Sequence, residues 1–112
     1  MNSVKLVGNV GREITVKEFD KGKMVTFSLA TDENYVSKKN NEDVKNTTWH
    51  NIVVWGQLAQ HCERTLEKGK MVSIEGRLGY RQFVNKDNQT VKIAEITAFK
   101  VEEVPRKAEA TV

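Results

Sequence analysis

The sequence predicts an all-β domain: a five-stranded antiparallel Greek-key barrel with one short helix between its third and fourth strands. Three observations lead there. Five stretches alternate apolar and polar residues with the period of two that sends one set of side chains to each face of a strand. Only one stretch, Gln57 to Lys68, has helical spacing. The longest strand carries two glycines, Gly76 and Gly79, which suits the strong coiling of a small closed barrel.

The elements follow in order. Ser3 to Val10 sets Val4, Leu6, Gly8 and Val10 against Lys5, Val7 and Asn9, a half-buried strand. Gly8 and Gly11 mark places where it bends or where another backbone approaches, and Ile14 to Phe19 extends it after a kink. Asp20-Lys21-Gly22-Lys23 reads as a turn, and Met24 to Thr31 as the second strand of a hairpin, with Val25, Phe27 and Leu29 inward. Thr31 to Tyr35 continues outward. Val36 to Asn46 is the most polar segment and reads as a long, mobile hairpin loop. The third strand, Thr47 to Gly56, is rich in β-branched and aromatic residues. The helix presents Leu58, Ala59, Cys62 and Leu66 on one face, with Gly69 as its C-terminal stop. Met71 to Val84 is a long strand that alternates Val72, Ile74, Gly76, Leu78 and Tyr80 against Ser73, Glu75, Arg77, Gly79 and Arg81. Residues 85–89 form a turn, and Thr90 to Val104 is the last strand, with a bulge or a switch of face expected around Ala94 to Ala98. Pro105 ends it. Residues 1–104 thus form the domain and 105–112 a short flexible tail. This order is the OB-fold plan. Sheet sandwiches and SH3-like barrels are alternatives, but neither so naturally requires the helix.

The third strand carries both tryptophans. Trp49 and Trp55 stand six positions apart, an even offset, and so share a face with Asn51 and Val53, while His50, Ile52 and Val54 take the other. One reading buries both rings in the core. The opposite face, however, is already apolar enough to be the core side, which favours an exposed aromatic platform. Of the eight aromatic residues, Phe27 and Phe99 read as core, whereas Tyr35, Trp49, Trp55 and Phe83 lie in polar company. Lys38 and Lys39 follow Tyr35; Arg81 precedes Phe83 and Lys86 follows it. Rings interleaved with cations are what sequence-tolerant binding of a single strand requires: rings stack on bases and Lys or Arg neutralise phosphates. The competing reading is barrel residues with solvated charges nearby.

Composition narrows the alternatives. With 112 residues, 38% hydrophobic and 29% charged, the chain has room for one core. A net charge of +3 is compatible with a polyanionic partner without requiring one. No apolar run approaches the ~20 residues of a membrane helix, and the N-terminus lacks the apolar stretch of a signal peptide. The single cysteine, Cys62, has no intramolecular partner. Both suit a cytoplasmic, nucleoid-associated protein. His50 and His61 sit on different elements, no paired metal ligands occur, and neither a phosphate loop nor a nucleophile elbow is present. A non-catalytic protein with no cofactor and no metal is expected.

The ordered blocks resemble a known family, the bacterial single-stranded DNA-binding proteins. The likeness runs from Asn2 to about Val104. It begins with Asn2 to Gly11, continues with Phe27-Ser28-Leu29-Ala30-Thr31, is most specific at Thr48 to Ala59, and is completed by Lys68 to Leu78. It implies an OB-fold that wraps single-stranded DNA in replication, recombination and repair. It also implies a homotetramer, a dimer of dimers, with the first strand pairing across a dimer interface. By position, Tyr35, Trp49, Trp55 and Phe83 match the family's base-stacking aromatics. Tyr35 and Phe83 stand where tryptophan is common, and Trp55 where phenylalanine is. Lys17 and Lys68 match backbone-contacting cations, Arg81 fits another, and His50 matches a residue of subunit contacts. With Tyr80, Arg77, Lys38, Lys39 and Lys86 added, these form the candidate interface, His50 excepted.

The departures from the family pattern are specific. Asn51 and Gln57 stand where a cation is frequent, so phosphate neutralisation is expected to be weaker or relocated. Gly11-Arg12-Glu13-Ile14 lacks the usual Asp-Pro. The sequence ends at Val112 without the family's acidic, Pro-Phe-ended tip. It therefore reads either as a core cut from a longer protein or as a short paralogue of mobile-element origin, and recruitment of replication proteins through such a tip is not expected. Two other readings stay open: a replication-restart module resembling primosomal protein N, and an OB domain for RNA or oligosaccharide.

Overall fold

A computed structural model describes residues 1–32, 35–36, 39, 43–44 and 46–105. Its elements are β1 (Val4–Phe19), β2 (Gly22–Asp32), β3 (Tyr35–Val36), β4 (Asp43–Val44), β5 (Thr47–Trp55), α1 (Gly56–Thr65), β6 (Met71–Val84) and β7 (Thr90–Glu103). Five strands close into a barrel in the order β1-β2-β5-β7-β6. β1 serves two neighbours: Val4–Asn9 pairs with β6 and Asn9–Phe19 with β2, the register shifting between Val10 and Ile14. That shift is the kink expected from the sequence. Four of the five pairings are antiparallel; β5 and β7 run parallel through Ile52–Val54 and Ile96–Ala98.

The alternation behaves as expected in β2 and β5, where Val25, Phe27, Leu29, Ile52 and Val54 are buried. Val72 and Ile74 of β6, Ile96 and Ala98 of β7, and Val10 of β1 complete the barrel interior. Ala59 and Cys62 of α1 and Leu66 just beyond it join the same cluster. Strong coiling brings backbones close where side chains are missing: a Cβ on Gly8 would sit 2.2 Å from the Ala30 carbonyl oxygen, and one on Gly76 2.3 Å from that of Thr97.

Several expectations are corrected. α1 ends at Thr65, with the Leu66 amide donating to the Cys62 carbonyl and Leu66 already extended. Gly69, at φ +84, serves the turn into β6 instead of the helix stop, and its N–H reaches the Val10 carbonyl at 2.8 Å. The buried set of β6 stops at Gly76: Leu78 is 38% and Tyr80 63% exposed, because β6 and β7 run on past the barrel as a two-stranded arm that no third strand covers among the described residues. Phe99 is exposed and not core. β7 carries one extra residue there, since Glu75 pairs with Lys100 and Gly76 with Ala98, so Phe99 is squeezed out of the alternation. The bulge thus falls just past the stretch where it was expected. Between β2 and β5, Tyr35 pairs with Val44 and Val36 with Asp43 in the short β3–β4 ladder, so strand pairing reaches into the segment from Val36 to Asn46 that reads as a loop. Lys38 and residues 106–112 of the expected tail lie outside the described residues.

Candidate nucleic-acid interface

The outward face of the barrel is built by register. Thr26 of β2 lies opposite Val53 of β5, and Val53 opposite Thr97 of β7, so the outward side chains of three strands form one surface. Val53 is only 5% exposed although it faces outward, because neighbours on both sides cover it. The surface is therefore a groove, not a flat platform. Its volume is about 450 Å³, with Val53, Thr26 and Thr97 lining it between walls that include Lys17 from β1 and Arg81 from β6.

One exposed aromatic ring, Trp55, lines this groove, while Trp49 lines a neighbouring concavity with Asn51, Leu78 and Ile93. Trp55 is half exposed and meets Phe19 with ring centroids 5.8 Å apart and planes tilted by 32°. Such an offset pair holds each ring against the other and leaves outer faces to solvent. Trp49, six residues back on the same face, is 61% exposed. Its ring lies over Gly11, where a Cβ would come within 2.9 Å of it, so the irregular stretch of β1 makes room for the indole. The arm contributes Phe83, with the Arg81 guanidinium 5.9 Å from its ring centroid. The Arg81 Nε–H donates to Glu95 Oε2 at 3.2 Å. Asn51 Nδ2 donates to the Ala94 carbonyl at 3.3 Å, tying the tryptophan strand to the base of the arm. That contact gives a structural use to a residue standing where a cation was expected. His50, on the core side, is hydrogen-bonded to the Thr31 hydroxyl.

Residues 1–104 match the model of the single-strand binding protein family. The chain belongs to that family. It is 41% identical over 91 residues to single-stranded DNA-binding protein 1 of Chlorobaculum tepidum, covering 80% of this chain and 54% of that protein. It is 37% identical over 98 residues to the single-stranded DNA-binding protein of Bacteroides thetaiotaomicron, covering 86% of this chain and 61% of that one. The chain thus spans little more than half the length of these curated relatives. Among solved structures, the Plasmodium falciparum SSB in complex with ssDNA superposes with a TM-score of 0.84 at 32% identity, covering 94% of this chain and 96% of that one. The small single-stranded DNA-binding protein of Streptomyces coelicolor gives 0.75 at 26%, covering 94% and 95%.

Against this family fold, the residues singled out from the sequence divide into groups. Lys17, Trp55 and Arg81 converge on the groove. Phe83 and Arg77 share its face, since Arg77 pairs with Thr97 and Phe83 follows Arg81 by two residues. Tyr80 projects from the opposite face of the arm, with Lys92 Nζ 5.0 Å from its ring centroid. Lys86 sits in the arm's terminal turn, where Asn85 Oδ1 accepts the amides of Asp87 and Gln89. Lys68 lines a separate concavity with Lys70, Glu103 and Pro105. Lys39 is exposed in its turn; Tyr35 is placed by its backbone in β3, and its side chain lies outside the described residues, as does Lys38. Phe19 was missed by the sequence reading. The signal was present: Phe19 shares a face with Lys17, and the tight β1–β2 hairpin brings the end of β1 to the end of β5.

Among the described residues no group of three or more His, Cys, Asp or Glu side chains could hold a metal ion. No helix of the described residues is long and apolar enough to cross a membrane.

Proposed function

We propose that this chain binds single-stranded DNA without sequence preference and protects it during replication, recombination and repair, with no catalytic step. The observation that carries the reading is the pair of exposed tryptophans on one face of β5, beside a groove that Lys17 and Arg81 border. Bases stack on Trp55 with Phe19, on Trp49 and on Phe83, while Lys17, Arg77 and Arg81 meet phosphates. Tyr35, Tyr80, Lys38, Lys39, Lys68 and Lys86 are further candidate contacts, to be tested by substitution. Residues 1–104 act as the binding domain, assembled as a homotetramer, a dimer of dimers, in the cytoplasm at the nucleoid. The family match and the complex of a similar fold with ssDNA support this reading.

The test is tryptophan fluorescence during titration with a long oligo-dT at several salt concentrations. Strong quenching that weakens with salt is expected, with a log–log slope of about −0.7 per neutralised phosphate. Trp49→Ala and Trp55→Ala, each still folded, lose roughly 1–3 kcal/mol of binding. Absence of quenching at every salt concentration would sink the reading. Mass in solution near four times 12.7 kDa is expected for the tetramer; a dimer would favour the replication-restart reading.

A further inference from the structure

We propose that Glu95 is an internal competitor for the phosphate at Arg81, so that a carboxylate of the groove sets how tightly the strand is held. The inference rests on reading the groove as a single-stranded DNA site. Arg81 on β6 and Glu95 on β7 are diagonal neighbours: Arg81 pairs with Ile93 and Glu95 with Gly79. A Cβ on Gly79 would have nothing within 4 Å, so the space opposite Glu95 is open and the two side chains meet across it. The Arg81 Nε lies 3.2 Å from Glu95 Oε2, and the carboxylate side chain is 20% exposed against 60% for the guanidinium. The acid is therefore the inner partner and the cation the outer one.

Charge in the groove makes this pair consequential. Its lining holds two acids, Glu13 and Glu95, and two cations, Lys17 and Arg81. Among the described residues no acid comes within ion-pair distance of Lys17 or Arg77, whereas Arg81 is engaged. A phosphate arriving at Arg81 must displace the carboxylate or sit beside a like charge, and either course opposes binding. It also releases fewer counterions than an unpaired arginine would allow, which flattens the salt dependence.

The experiment uses the full chain, oligo-dT of one length, and tryptophan quenching across a salt series for the parent, Glu95→Gln, Arg81→Ala and the double variant. Glu95→Gln keeps the shape and removes the charge. It is expected to tighten binding by about threefold to tenfold at low salt and to steepen the salt slope by about 0.7, one further phosphate. In the Arg81→Ala background that gain is expected to vanish. Unchanged or weaker binding by Glu95→Gln would mean that the carboxylate serves only to orient Arg81, and the proposal fails. An equal gain with and without Arg81 would reduce Glu95 to general repulsion, and the proposal fails again. A parent that never quenches overturns both this inference and the DNA-binding reading, whereas failure of the inference alone leaves the parent binding normally.

Discussion

Cys62 illustrates what burial does to a single side chain. It lies wholly inside the cluster between α1 and the barrel, and burial pushes its thiol from an ordinary 9.0 up to about 11. The thiolate is the reactive form, so the native protein should react slowly with a thiol reagent at pH 8 and rapidly once unfolded. The same shift affects stability. Between pH 9 and about 11 the unfolded chain releases this proton while the folded chain retains it, so stability falls as pH rises through that window. The loss should reach roughly 2–3 kcal/mol, read as a falling urea midpoint, and this component should be absent from Cys62→Ala. Gly8 makes the steric counterpart. Its missing Cβ leaves 2.2 Å to a backbone oxygen that cannot rotate away, so Gly8→Ala should cost about 1–3 kcal/mol by denaturant titration. An unchanged midpoint would mean that β1 and β2 can separate without loss. The sequence showed that a glycine there permits close approach; it did not show what approaches.

At the scale of elements, the β6–β7 arm carries Arg81, Phe83 and Tyr80 beyond the barrel, and its two edges are held by side-chain amides. Asn51 reaches Ala94 on one edge. On the other, Asn2 mimics a strand residue: its Nδ2 donates to the Leu78 carbonyl at 2.6 Å and its Oδ1 accepts the Leu78 amide at 2.9 Å. The β1–β6 ladder is thereby prolonged past Val4 by a side chain. Asn2→Ala should destabilise the protein by about 0.5–1.5 kcal/mol and speed hydrogen exchange at the Leu78 amide more than at Ile74, which the barrel protects. Equal protection in the variant would mean that the arm keeps its place without this clamp. The arm also shows where alternation in β6 stops reporting burial. Period two assigns Leu78 and Tyr80 to the face of Val72 and Ile74, which is correct as geometry, but that face is core only where a barrel lies beneath it.

For the whole molecule, closure dominates. β1 joins β6, and β5 joins β7, so the barrel depends on pairs far apart along the chain. Loop-closure entropy must be met before such pairs contribute, and refolding should take milliseconds to seconds, not microseconds, in stopped-flow circular dichroism. A microsecond phase accounting for the full amplitude would contradict this account. Closure also creates the groove, since its lining comes from β1, β2, β5, β6 and β7 together.

The sequence by itself determined the succession of the barrel strands along the chain, the helix position, the inward sets of β2 and β5, and the face on which both tryptophans stand. These follow from local periodicity, which the backbone imposes within each element. It also brought out the family, through ordered blocks of residues. Only the tertiary structure decided that Val53 lies at the bottom of a groove, that Phe19 backs Trp55, that Phe99 is expelled at a bulge, and that Arg81 faces Glu95. Each of these depends on the register between strands that are distant in sequence, and register is set by how the barrel closes, which no single stretch of residues encodes.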